Sequence, residues 1–224
     1  MGSILFEVKQ ASRSLFKHRE FSLVAALTLA LGIAATTSLF SIVYAVLLRD
    51  LPYREPDRLY QVNVVNSQSG RLSGPTSPLN FLDWRSRNRS FEFLGAYQKS
   101  VPFNARIGET PERIIGARVS DTLLPTLGVQ PAIGRSFLAE DDRTGSPKVV
   151  LLSHRIWLRY FNGDTKAVGQ TVALSGQSYS IVGVMPSDFT FPTADTDLWI
   201  PFGDVYRDGG RGNFFVEVIG RLRP

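Results

Sequence analysis

The sequence has no cysteine, which removes disulfides, thiolate metal sites and cysteine nucleophiles together. The same absence fits a compartment outside the cytoplasm, where a stray thiol would oxidise. Histidine is nearly missing, with 2 in 224 residues. His18 stands between Lys17 and Arg19 in a basic leader, and His154 opens a short helical pattern. No HExxH spacing contains either, and no partners are marked for a triad on Ser120 or Ser153. A strong excess of one charge is also lacking. The 25 basic and 20 acidic residues leave a net charge of +5, too mild to imply a nucleic-acid partner. Repeats and low-complexity tracts are absent.

The few clusters that resemble chemistry read as structure. Glu140-Asp141-Asp142, with Asp195 or Asp197, has the ligand types of a hard-cation site but no EF-hand spacing, so a solvated, capping turn is expected. Gly209-Gly210-Arg211-Gly212 lacks the Lys-Ser/Thr ending of a phosphate loop and reads as a flexible turn. Trp84 beside Arg85, Arg87 and Arg89 reads as a helix with a solvated basic flank. The expectation is no catalytic residue, no cofactor-binding residue and no metal ligand, and hence no enzyme.

What the sequence does have is one long apolar run. From Phe21 to Leu48 no side chain is charged, well past the ~18 residues that mark a transmembrane helix and too long for a signal-peptide core. Lys9, Arg13, Lys17 and Arg19 precede it; Arg49, Arg54 and Arg58 follow. That bias puts the N-terminus in the cytoplasm and the bulk of the chain outside. In the leader, Lys9, Arg13 and Lys17 share one helical face while Ile4, Val8, Ala11 and Leu15 share another, the pattern of a helix lying in an anionic interface. Within the span, Ala26, Ala30, Ala34 and Ser38 recur every four residues, a small-residue face suited to close packing against other helices. The expected division is a leader (1–20), a span (21–48), a stiff juxtamembrane exit around Pro52 and Pro56 (49–58) and an exterior domain (59–224).

The exterior part alternates between helical and strand patterns without βαβ regularity, which predicts an α+β class with antiparallel pairing. Leu59–Asn66 reads as a strand. Ser77 and Pro78 start a helix that buries Phe81, Leu82 and Trp84. The stretch from Ser90 to Gln98 reads as a second short helix or turn. Val101–Gly108 and Glu112–Ser120 read as strands joined by a turn over Gly108–Pro111. Ser120 is expected to cap a short helix ended by Gly128. Lys148–Leu152 reads as a buried strand, and Ser153 as the cap of a helix with an apolar face of Ile156, Trp157, Tyr160 and Phe161. Thr171–Met185 is the clearest hairpin, predicted to turn at Gly176-Gln177 in type II′ geometry. The last strands are expected over Asp197–Phe202 and Phe214–Arg223.

Several of these blocks in order resemble a known family. Ser14–Tyr53 resembles the first helix of MacB/FtsX-like ABC transporter permeases, most nearly the duplicated orphan type found in Acidobacteria. SPLNFLDWRSRNRSFE, GARVSDTLLPTLGVQPAIGRSFLAEDD, VVLLSHRIWLRYFNGD, YSIVGVMPSDFTFP, DLWIPF and FFVEVIGRLRP are similar to successive parts of its MacB-type periplasmic core domain. The resemblance implies a two-lobed mixed α/β exterior domain set after the first transmembrane helix, in a bacterial inner membrane. It implies a separate cytoplasmic ATP-binding subunit, a second permease copy or half, the lipid bilayer and a periplasmic adaptor as partners. The function it implies is export or mechanotransmission of antimicrobials, peptides or lipoproteins, driven by ATP hydrolysis in that partner. The family continues past Pro224 with further spans, so the chain would be its N-terminal part. The alternative from a different class is a single-span anchored sensor or binding module.

Overall fold

The computed structural model describes residues 19–43, 53–65, 70, 72–107 and 111–224. The amphipathic leader, Tyr44, the start of the exit and most of the turn after Gly108 lie outside them. Contacts divide the chain into Met1–Leu51 and Pro52–Pro224.

In the first unit, α1 spans Arg19–Val43, and Ser22–Ser41 is long and apolar enough to cross a membrane. Three of its threonines bond within the helix. Thr28 donates to the carbonyl of Val24 (2.8 Å), Thr36 to that of Gly32 (2.8 Å) and Thr37 to that of Ile33 (2.6 Å). A hydroxyl bonded to its own helix asks nothing of the surrounding solvent, which is what hydrocarbon demands. Leu29 and Leu31 are exposed, an arrangement suited to lipid.

The second unit begins with a 3-10 turn over Pro56–Arg58 and continues β1 (Leu59–Val62), β2 (Val64–Val65), β3 (Leu72–Gly74), α2 (Pro78–Arg87), β4 (Phe91–Arg106), β5 (Glu112–Val119), α3 (Leu123–Leu127) and β6 (Ile133–Gly134). Then come β7 (Val149–Leu152), α4 (His154–Phe161), β8 (Thr171–Leu174), β9 (Gln177–Val184), β10 (Leu198–Pro201), α5 (Val205–Asp208) and β11 (Glu217–Leu222). One nine-stranded sheet runs in the order β1-β11-β4-β5-β10-β7-β9-β6, and β8 pairs with both β4 and β9. That last pairing closes a circuit: β4-β5-β10-β7-β9-β8 and back to β4. A closed circuit has no free edge in it, and its inward side chains form a core drawn from all six strands. Phe103, Ile114, Leu152, Leu174, Ile181 and Leu198 meet there, with Ile156 of α4. A second core lies where α3 packs with Trp199, Leu151 and Met185. A third lies between α2 and the β4–β11 pair, around Phe81 and Val218.

Several sequence expectations are met residue by residue. Ser77 caps α2 by accepting from Asn80 N–H at 3.2 Å, and Ser153 caps α4 by accepting from Ile156 N–H at 3.1 Å. Gly128 ends α3 at φ 71°, a left-handed conformation that disfavours a Cβ. β7 is buried along its whole length.

Others need correction. Ser90–Gln98 is neither helix nor turn: from Phe91 it is the first half of β4, paired with β11 from Phe91 to Tyr97 and with β5 from Tyr97 onward. Leu94, Gly95, Ala96 and Tyr97 are all buried, so the alternation that reveals a half-buried strand is missing. Ser120 does not cap α3. Thr122 holds the cap position, while Ser120 Oγ accepts from Ala96 N–H and touches Thr122 Oγ1. The hairpin turns one residue earlier than expected, at Ser175-Gly176, with φ of 49° and 79°. Two positive φ values make a type I′ turn. The pairing is mixed, because β5–β10 and β7–β9 are parallel. For β7–β9 the crossover through α4 supplies the connection that parallel strands need. The predicted first strand breaks at Asn63 into β1 and β2.

Candidate functional site

The residues that most resembled catalysts are fully occupied. Ser153 Oγ donates to Asp197 Oδ1 at 2.8 Å, and Asp197 also holds Arg155 at 3.0 Å. His154 stacks edge-on with Trp157. Among the described residues no group of three His, Cys, Asp or Glu could hold a metal ion. The acidic cluster is split. Asp141 is gripped by Arg135 at 2.6 Å and accepts from Leu138 N–H, while Glu140 is exposed and Asp142 turns inward. Arg211 of the glycine-rich turn bonds Asn80 and Asp83 on α2, so that turn is fastened down. Arg85 is no solvated flank either, since it pairs with Asp121 at 2.8 Å.

Asp142 links separate segments. Its carboxylate accepts from Asp121 N–H (3.2 Å), Gly203 N–H (3.1 Å) and Tyr206 O–H (2.8 Å). Burial pushes this carboxyl up to about 7, against the hydrogen bonds that favour the anion, and Asp121 adds repulsion. A raised folded pKa makes its contribution to stability whole below about 4, where the group is protonated folded or unfolded, and lost as pH rises to about 7. Melting temperature measured from pH 4.5 to 8 should therefore fall through this group, and Asp142→Asn should flatten that slope. An identical slope in the variant would remove Asp142 as its source.

A dense set of unlike interactions lies at the start of the second unit, from Tyr53 to Arg58. Glu55 is held at φ 45°, an uncommon conformation for a non-glycine residue. Its carbonyl accepts twice, from Arg58 N–H at 3.1 Å and from Arg221 Nη1 at 3.3 Å. Arg58 donates through Nε to the carbonyl of Leu222 (2.9 Å), bonds the Glu55 carboxylate, and reaches Glu92 at 3.0 Å. Leu222 belongs to β11 and Glu92 to β4. The Arg58 guanidinium holds the Glu55 carboxyl below its ordinary range. On the other side, the Tyr53 ring meets Phe191 edge-on at 6.4 Å, and Phe191 meets Tyr97 at 4.7 Å. Gly128 gives the segment room, because a Cβ there would sit 2.8 Å from Arg54 Cβ. A cleft of about 260 Å³ opens beside it, lined by Tyr53, Gly128, Gln130 and Phe189.

Arg221 is the buried centre of this junction, 4% exposed. Its Nε donates to the carbonyl of Thr126 at 2.8 Å, in the last turn of α3, where unpaired carbonyls attract a cation. Its Nη2 has no hydrogen-bond partner among the described residues. A buried guanidinium with no ion-pair partner among the described residues is costly, and this one ties the entry segment, α3 and β11 together. Sequence reading passed over it as one residue of the last strand. The signal was its phase: Arg221 shares the face of Ile219, which packs into the α3 core. The junction joins the entry segment to the sheet through short, directional bonds and a ring contact.

Residues 22–224 match the family of the MacB-like periplasmic core domain. The structure is similar to the extracellular domain of the noncanonic ABC-type transporter YknZ from Gram-positive bacteria, with TM-score 0.54 and 15% identity over 74% of this chain and 84% of that one. It is similar to a domain of a permease protein from Porphyromonas gingivalis at TM-score 0.58 and 16% identity, covering 77% and 78%. The periplasmic region of MacB from Actinobacillus actinomycetemcomitans gives 0.51 and 14%, covering 73% and 72%. No curated protein matches the chain.

Proposed function

The chain belongs to the MacB-like periplasmic core domain family, and from that premise we propose that it is the first membrane helix and core domain of an ABC-type export permease. Its task is to carry motion between the membrane and the exterior domain. Chemistry belongs to a separate cytoplasmic ATP-binding subunit. The helix α1 anchors the chain with its N-terminus in the cytoplasm, and its small-residue face packs against further helices of the permease or of a second copy. In this reading the division at residues 20, 48 and 58 separates leader, span and exit from the domain that moves.

The observation that carries the reading is the clamp at Tyr53–Arg58. Proline alone would make the exit stiff, but a stiff rod on a loose hinge transmits little. Here Arg58, Arg221 and the Tyr53 ring fix the rod to β11, α3 and the core, so a displacement of the exit reaches the sheet without slack. In a membrane carrying the complete permease and its ATPase, replacing Tyr53–Asp57 with a Gly/Ser linker should lower export at least about tenfold, a barrier change near 1.4 kcal/mol. ATP hydrolysis should persist. Undiminished export would end the mechanical reading, and loss of both activities would mean the segment serves assembly instead.

A further inference from the structure

The closed circuit of six strands has a mouth, and its lining does not serve the junction just described. Residues of β5, β10, β7 and β9, with the loop before β7, surround a cleft of about 260 Å³. The mouth of a small barrel is a recurrent place for ligands. Arg118 is one of the residues that line it. Along β5 it is in phase with Ile114, which belongs to the barrel core, so a guanidinium occupies a position where the strand's pattern calls for an apolar side chain.

Charge accounting isolates this group. Of the acids lining the cleft, Asp141 is neutralised by Arg135 and Asp208 by Arg207. Asp204 accepts from Gly145 N–H at 2.9 Å and faces Lys148 at 3.7 Å. Among the described residues that leaves Arg118 and Arg143 with no carboxylate. Among the described residues the Arg118 side chain donates to the neutral Gln98, at 3.0 Å, and lies 6.0 Å from the Phe103 ring centroid. Tyr179 lines the same wall, with Lys148 6.0 Å from its ring centroid. A half-buried guanidinium fork with spare donors, a second free guanidinium and an aromatic wall form the donor set that takes a planar or tetrahedral oxyanion.

We propose that the barrel mouth around Arg118 binds a small oxyanion, a carboxylate or phosphate group, with Arg118 as the fork, Arg143 as the second cation and Tyr179 as the flanking wall. This site stands independently of the transport reading. The cleft is smaller than a drug-sized pocket, which selects a compact anion or the anionic end of a longer molecule.

The test is calorimetric titration of the full chain in phosphatidylcholine nanodiscs, at low salt, with inorganic phosphate and separately with succinate. At least one should bind saturably at about 1 mM or tighter. Arg118→Gln and Arg143→Gln should each weaken it about tenfold, the loss of one charge-assisted bond. Arg159→Gln, whose residue pairs with Glu112 outside the mouth, should leave it unchanged. Repeating the phosphate titration in discs containing phosphatidic acid separates the sources: competition identifies a lipid headgroup, and an unaltered isotherm identifies a soluble anion. No saturable binding of either probe, or equal binding by Arg118→Gln in a chain that still folds by circular dichroism, overturns the proposal.

Discussion

Trp199→Ala is expected to destabilise the core domain by about 3–5 kcal/mol, a large part of what a domain of this size has to lose. Trp199 lies on β10, the strand that pairs with β5 on one side and β7 on the other. It is 1% exposed. Its indole N–H donates to the carbonyl of Phe191 at 2.8 Å, and its ring sits 5.2 Å from Phe189. Truncation removes the ring from the α3 core, leaves a cavity, and strands the Phe191 carbonyl. Phe191 in turn supports Tyr53 and Tyr97, so the loss reaches the entry junction as well. Trp199→Phe keeps most of the apolar volume and loses the hydrogen bond, and should cost only about 1–2 kcal/mol. Urea unfolding followed by near-ultraviolet circular dichroism would measure both. A cost for alanine near that for phenylalanine would mean the ring is not what holds β10 to the core.

Gly134→Ala should be nearly as damaging, at about 2–5 kcal/mol, from backbone strain and overpacking together. Gly134 has φ 82°, and a Cβ there would lie 2.2 Å from the carbonyl oxygen of Val182. Opposite it, a Cβ on Gly183 would lie 2.7 Å from the Ile133 carbonyl oxygen. β6 and β9 approach with two glycines face to face, and neither side has a flexible atom that can yield. Gly145 provides the control, with φ 80° and open space around it. Gly145→Ala should therefore show the conformational cost alone, on the order of 1 kcal/mol. Equal melting temperatures for the two variants would show that the contact with Val182 is not tight in solution.

Local features were legible because their causes are local. The caps at Ser77 and Ser153 follow from an oxygen-bearing side chain placed to reach an N–H three residues on. The C-terminal glycine of α3 follows from its need for a positive φ. The β8–β9 hairpin was visible in its alternation, though the turn shifted by one residue because Ser175 adopts a positive φ that favours glycine. β4 was misread in its first half because burial on both faces removes the alternation. A run such as Leu94–Tyr97 then looks the same for a strand as for a buried turn of helix.

The candidate sites were less legible. Arg221, Asp142 and Arg118 carry the junction, the buried carboxylate and the barrel mouth, and none belongs to a motif. Each draws its environment from residues far along the chain: Arg221 from Glu55 and Thr126, Asp142 from Tyr206, Arg118 from Gln98 and Tyr179. Only Arg118 and Arg221 left a trace, a charge in phase with apolar neighbours on a strand.

Composition and pattern alone determined that this chain has an apolar segment long enough to cross a membrane, since hydropathy needs no partner to act. The order of its blocks carried the family. Tertiary structure decided the closing of six strands into a ring, the burial of a guanidinium at the entry segment and the isolation of another at the barrel mouth. Those outcomes depend on pairings between distant strands, whose free energy comes from contacts that exist only once the chain has folded.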